Sequence, residues 1–188
     1  MAAAAQFGVN IFRGSEKDII DRFYQACKHY KLDMVIQIDG DDPCADAMYM
    51  DYCAERLLKN SDLGVVYCEG LPLGLGSKAF RFSALDIVWE KKLDNENDTG
   101  FGYYFTKTNL VPKDVVRPIS PLHKHGEARF TLDYPEDLLF FERVLSLVEP
   151  KGEIAGIEDL VDVLRRFPEL LDINTHLDQE YWSRTRKL

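Results

Sequence analysis

The run Asp33-Met34-Val35-Ile36-Gln37-Ile38 constrains this chain more than any other feature, because it ends abruptly in Asp39-Gly40-Asp41-Asp42-Pro43. A compact apolar run with few charges suits a central strand covered on both faces. The polar, turn-forming string after it ends the strand and leaves three carboxylates within four positions. Such crowding is unfavourable unless a cation or hydrogen-bond donors gather there.

The surrounding segments predict what covers that strand. Ser15 reads as an N-cap, and Ile19, Ile20, Phe23, Cys27 and Tyr30 mark one face of an amphipathic helix from about Glu16 to Tyr30. A second helix is predicted from about Asp46 to Lys59, with Met50, Cys53, Ala54 and Leu57 inward. Leu63 to Cys68 reads as another buried strand, Lys78 to Phe82 as a strand, and Ser83 as the cap of a helix through Lys92. Val9 to Phe12, Val115-Val116 and Arg129 to Leu132 are further strand candidates. Pro135 opens a helix at its first position, with Leu138, Phe141, Leu145 and Val148 as its buried stripe. Ile157, Leu160, Val161 and Leu164 define one more helix. Ala2 to Gln6 reads as a helix end, Asp94 to Gly100 as a polar loop before the aromatic Phe101 to Phe105, and the tail after Asn174 as a solvated terminus.

Alternating strands and helices argue for an α/β fold of the Rossmann-like type, a mainly parallel sheet flanked by helices. In such sheets ligands bind beyond the carboxyl ends of the strands, which directs attention to three places. Asp39, Asp41 and Asp42 supply hard oxygen ligands suited to Mg²⁺ with phosphates completing its shell, although a solvated Asp-Gly turn reads equally well from spacing alone. Asp133 follows a strand and precedes a helix, where an acid also suits the helix dipole. Convergence of the two acidic strand ends on one metal is the functional expectation. Arg13-Gly14-Ser15, at a helix start, suits recognition of an anion or a polar ligand edge.

Composition narrows the partners. Lysine and arginine number 23 against 32 aspartate and glutamate, a net charge of −9 that repels polyanions and makes nucleic acid an unsuitable partner. Cys27, Cys44, Cys53 and Cys68 form no Cys-x-x-Cys pair, so they read as reduced, buried fillers. No membrane span or signal peptide is evident, and the cytoplasm is the expected compartment. His123 and His125 flank Lys124 in what reads as a surface loop.

Residues 9–148 resemble the cytidylyltransferase family that activates acidic sugars, in its spore-coat polysaccharide and acylneuraminate branch. The ordered segments IFRGSEKDIIDRFYQA, VIQIDGDDP, LPLGLGSKAFRFSAL and ARFTLDYPEDL carry the resemblance. It implies a nucleotidyltransferase-type fold that transfers CMP from CTP to a nonulosonic-acid-type sugar, releasing pyrophosphate, with Mg²⁺, as a homodimer. By this resemblance Asp41 and Asp133 match the metal-binding and catalytic aspartates. Arg13, Gly14 and Ser15 match a segment beside the nucleotide, while Asp39 and Gly74 fall where the family contacts the sugar.

Nothing in the chain corresponds to the family's first strand and its glycine-rich basic phosphate loop. The expected organisation is therefore a cytidylyltransferase-like domain over 1–150 that starts partway along, followed by a helical extension over 151–188. Two other functions fit the same residues. One is a non-catalytic nucleotide-binding or dimer-partner module. The other is a sugar-nucleotide glycosyltransferase using Asp39-Gly40-Asp41 as an Asp-x-Asp motif, which the RGSEKD and TLDYPEDL contexts disfavour.

Overall fold

The computed structural model of the chain describes residues 4, 6–93, 102–149 and 154–185. Its elements run α1 (Ile19–Tyr30), β1 (Met34–Gln37), α2 (Ala47–Lys59), β2 (Val65–Cys68), β3 (Lys78–Arg81), α3 (Phe82–Lys91), α4 (Gly102–Thr106) and β4 (Lys113–Val116). They continue as α5 (Pro135–Leu147), α6 (Ile157–Arg166) and α7 (Asp178–Thr185), with 3₁₀ turns at Pro121–His123, Pro168–Ile173 and Thr175–Leu177. The strands form one open sheet in the order β1-β3-β2-β4, so β1 is an edge strand with Ile36 40% exposed and not the central strand covered on both faces that its apolar run suggests. β2 and β4 pair in parallel, while β3 pairs antiparallel with both β1 and β2. Three strands thus share a direction and β3 opposes them. The link from Cys68 to Lys78 contains no helix, and a parallel return would need a longer crossover.

Period-two alternation splits the core into two clusters. Val65 and Phe80 join Ile20, Leu85 and Val88 in one, whereas their neighbours Val66 and Ala79 join Tyr49, Leu57 and Phe140 in the other. Among residues 154–185, α6 buries Ile157, Leu160, Val161 and Leu164 in the second cluster.

Several local expectations give way to tertiary partners. Asp18, not Ser15, caps α1 by accepting from the Asp21 amide, and the Ser15 hydroxyl accepts from the Asp18 amide one turn earlier. Ser83 lies inside α3, whose first amide, at Phe82, is satisfied by the Asp33 carbonyl at 2.9 Å. Val9 to Phe12 lies outside the sheet, with the Tyr30 hydroxyl donating to the Ile11 carbonyl. Arg129 to Leu132 is extended but pairs only through an isolated parallel bridge between Arg129 and Leu73. Ala2, Asp94 to Gly100, Phe101, Arg186 and Lys187 lie outside the described residues.

The face of α5 also differs from the expected stripe. Asp137, Phe140, Phe141 and Val144 are buried, while Leu138 and Leu145 are 51% and 50% exposed. The cause is electrostatic. Arg129 is fully buried, its Nε donates to Asp137 Oδ1 at 2.9 Å, and α5 must turn Asp137 inward to meet it. Positions 140, 141 and 144 follow Asp137 onto the same face at helical spacing.

Asp137 is the hub of a larger network. Its Oδ2 accepts from the Asp133 and Tyr134 amides at 3.0 Å each, closing the first turn of α5. Asn174 Nδ2 donates both to Asp137 Oδ1 and to the Arg129 carbonyl. Arg129 Nη2 donates to Asp133, and Nη1 lies 3.7 Å from Asp178. Burial alone lowers the Arg129 pKa, but the facing Asp137 and Asp133 carboxylates raise it above its ordinary value.

Two stability predictions follow from this architecture. Gly74 has φ +88, and a Cβ there would sit 2.1 Å from the Phe130 carbonyl oxygen, so Gly74→Ala combines backbone strain with a clash. A loss of about 3 kcal/mol is expected in chemical denaturation. Arg129→Met leaves Asp137 buried without its counter-charge, and about 3–5 kcal/mol of destabilisation is expected in the same measurement.

Candidate functional site

β1 delivers Asp39, Asp41 and Asp42 to its carboxyl end, and the extended segment before α5 delivers Thr131 and Asp133. The two segments are joined where the Leu132 amide donates to the Asp41 carbonyl at 2.8 Å. The acidic strand end and the Asp133 segment therefore meet. The second segment is held from its other side, where the Phe130 amide donates to the Leu73 carbonyl at 2.7 Å. Gly74, next along, permits that close approach, a backbone role evident only from the fold.

Charge is concentrated at this junction. Asp39 and Asp41 are exposed and Asp42 is half-buried. Burial pushes the Asp42 carboxyl up to about 7, reinforced by Asp39 and Asp41 and opposed by a Thr131 hydrogen bond and by Lys78. Tyr181 of α7 feels the same cluster. Burial raises its phenol to about 12, and Asp133, Asp42, Asp39 and Asp41 all add to the shift.

A pocket of about 390 Å³ opens beside these groups. Asp39, Asp42 and Lys78 line it together with Lys107, Tyr181 and Trp182, and the Glu69–Gly74 connection forms part of its wall. Cys68 also reaches it, its Sγ 3.5 Å from that of Cys53. A hydrogen bond from the Cys53 thiol lowers the Cys68 pKa to about 7, and the same contact raises Cys53.

Not every sequence-predicted residue reaches this pocket, and Asp41 and Asp133 are not among the residues that line it. Ser15 lines a separate depression with Asp18, Asp21, Trp89, Glu90 and Lys92. Arg13 and Gly14 are exposed beside it in sequence, and the Ser15 carbonyl accepts from Arg22. His123 does not sit on a surface loop. It is 1% exposed, with Nδ1 2.8 Å from the Tyr49 hydroxyl, which itself accepts from the Ile119 amide. A buried tyrosine hydroxyl needs such partners, and His123 supplies one.

Among the described residues, no three His, Cys, Asp or Glu side chains form a ready metal cage. The donors nevertheless fit Mg²⁺, which takes one or two protein carboxylates and completes its octahedron with phosphates and water. Asp41 and Asp133 offer that pair, on segments joined by a main-chain hydrogen bond. The elevated Asp42 pKa comes first from burial, with the negative charge of Asp39 and Asp41 adding to it.

Sequence reasoning passed over Arg129, Asp137, Asn174, Tyr181 and Trp182. Asp137 carried a usable signal, an acid at the third position of a proline-started helix. Arg129 carried none in its spacing. No described helix is long and apolar enough to cross a membrane.

Comparison with known proteins gives this geometry its context. The cytidylyltransferase family pattern matches residues 1–163. An uncharacterized protein of Methanocaldococcus jannaschii is 35% identical over 177 residues, covering 92% of this chain and 70% of its own length. The spore coat polysaccharide biosynthesis protein SpsF of Bacillus subtilis is 24% identical over 166 residues, covering 86% of this chain and 67% of that protein. A cytidylyltransferase structure from Leptospira borgpetersenii superposes with a TM-score of 0.78 at 22% identity, over 90% of this chain and 71% of that one, and shares its fold. With the family pattern covering most of its length, this chain belongs to the cytidylyltransferase family.

Proposed function

We propose that this chain transfers CMP from CTP to an acidic sugar of the nonulosonic-acid type, releasing pyrophosphate, in the synthesis of cell-surface or spore-coat polysaccharide. The observation that carries the reading is the 2.8 Å hydrogen bond from the Leu132 amide to the Asp41 carbonyl, which joins two acid-bearing segments beside the pocket that Asp39 and Asp42 line. Resemblance adds that the enzyme acts as a homodimer.

The reaction asks little covalent chemistry of the protein. A sugar hydroxyl attacks the α-phosphorus in line, the bond to the bridging oxygen of pyrophosphate breaks, and the hydroxyl proton passes to solvent water. Asp41 and Asp133 would hold Mg²⁺, which would supply charge neutralisation on the phosphates. Arg129 fixes the Asp133 carboxylate from the buried side, so that this ligand is oriented before substrate arrives. Lys78 and Lys107, the two cations among the described residues lining the pocket, suit the sugar's carboxylate. Arg13, Gly14 and Ser15 remain the nucleotide-side candidates, and Asp39 and Gly74 the sugar-side ones.

The test is pyrophosphate release from CTP and N-acetylneuraminate with Mg²⁺. Asp41→Asn, at an exposed position, should lower turnover by about 10²-fold or more without changing the far-ultraviolet dichroism. Asp133→Asn should do the same, with some loss of stability because Arg129 loses one partner. Unchanged turnover in Asp41→Asn overturns the assignment, and preferential binding of a UDP-sugar over CTP redirects it to glycosyl transfer.

A further inference from the structure

We infer that Tyr181 and Trp182 of α7 form the wall that selects the acceptor at this pocket, stacking against the ring of an anionic sugar. The inference rests on the nucleotidyl-transfer reading for the acceptor's chemistry, but its geometry is independent of it. Both side chains line the same pocket as Asp39, Asp42 and Lys78. Their rings lie 5.1 Å apart at 81°, which sets two aromatic surfaces at an edge-to-face angle beside the acidic cluster.

The wall is anchored. The Arg129 guanidinium lies 4.8 Å from the Tyr181 ring centroid, so the residue that orients Asp133 also supports the aromatic pair. Asp178, at the start of α7, ion-pairs with Arg129, and Asn174, just ahead of α7, donates to the Arg129 carbonyl and to Asp137. α7 is thus fastened to the centre of the site by the network that positions the Asp133 carboxylate.

Its place in the chain separates its role from the shared chemistry. The family pattern ends at residue 163, whereas α7 begins at Asp178. The transfer machinery at Asp41 and Asp133 lies within the matched region, and the aromatic wall lies outside it. A wall added from beyond the shared region is suited to choosing among acceptors while the nucleotide chemistry stays constant. The pocket's chemistry indicates which acceptor. Lys78 and Lys107 supply cations for a carboxylate among the acids Asp39, Asp42 and Glu69 of the same lining, and the side chains of Trp182 and of Tyr181, backed by Arg129, supply apolar surface for the C–H side of a pyranose.

Trp182→Ala, Trp182→Phe and Tyr181→Phe would be compared with the unaltered chain, using N-acetylneuraminate as the acceptor probe. The Michaelis constants for CTP and sugar would be measured separately. Trp182→Ala should raise the sugar KM about tenfold and leave the CTP KM within about twofold, with Trp182→Phe recovering much of the loss. Because the chain has two tryptophans and Trp89 lies in the separate depression, intrinsic fluorescence gives a readout without turnover. Adding N-acetylneuraminate should change the emission of the unaltered chain, and Trp182→Phe should abolish that change.

A proportionate rise in both KM values, or a fluorescence response that survives Trp182→Phe, overturns the wall. Turnover with an unaltered sugar KM in Trp182→Ala overturns it too, while leaving the transfer reading intact. A Trp182-dependent response to sugar in a chain that neither binds CTP nor releases pyrophosphate supports the wall and overturns the transfer reading. Absence of both responses overturns both.

Discussion

The buried pairing of Arg129 with Asp137 is the constraint on which the rest of the site depends. A guanidinium and a carboxylate withdrawn from water are costly unless their remaining hydrogen-bonding capacity is met. Here Asp137 takes two donors from Arg129, two from the amides opening α5 and one from Asn174. The pair is therefore a junction: it sets the rotation of α5, holds the segment bearing Asp133 against the sheet, and ties down the chain ahead of α7. Each of these places something the pocket uses.

That junction explains which parts of the fold can be read from the residues in order and which cannot. β2 is legible because burial on both faces leaves a short apolar run, and the alternation of Val65 with Val66, and of Ala79 with Phe80 in β3, assigns neighbours to opposite faces; β1 is legible as an apolar run but not in its place, because the same composition also serves an edge strand. α2 and α6 are legible because their apolar positions recur at helical spacing with no competing demand. α5 is legible as a helix but not in its rotation. Its leucines at 138 and 145 fit an apolar stripe as well as the residues actually buried, and the choice is made by Arg129, eight positions before Asp137 and outside the helix. Periodicity within one element contains no information about a charge contributed by another.

The candidate site divides along the same line. Asp39, Asp41 and Asp133 are recognisable because acids after apolar runs are chemically conspicuous, but their segments meet through the Leu132–Asp41 main-chain hydrogen bond outside the four-stranded sheet. The role of Gly74 is of a different kind: its neighbour Phe130 approaches through backbone, and only the tertiary pairing shows why a side chain cannot stand there. Tyr181 and Trp182 lie in a polar terminal stretch whose sequence resembles any solvated tail. Their significance arises because the chain folds back after Asn174, and that return is fixed by hydrogen bonds to residues 37 and 45 positions earlier.

Two electrostatic regimes sit side by side as a result. In the interior, Arg129 balances Asp137 and Asp133, and every hydrogen-bonding oxygen of Asp137 is met. Toward the pocket, Asp39, Asp41 and Asp42 crowd without an equivalent cation beneath them, and burial, reinforced by Asp39 and Asp41, pushes the Asp42 carboxyl up to about 7. The difference has a structural cause, because Arg129 approaches Asp133 from the buried side while the three acids after β1 face outward. A fold that needed only stability would gain by spreading those charges. Keeping them together beside a rigidly held Asp133 stores unfavourable repulsion that an incoming cation relieves, and the energy regained on its arrival favours binding at that corner of the molecule.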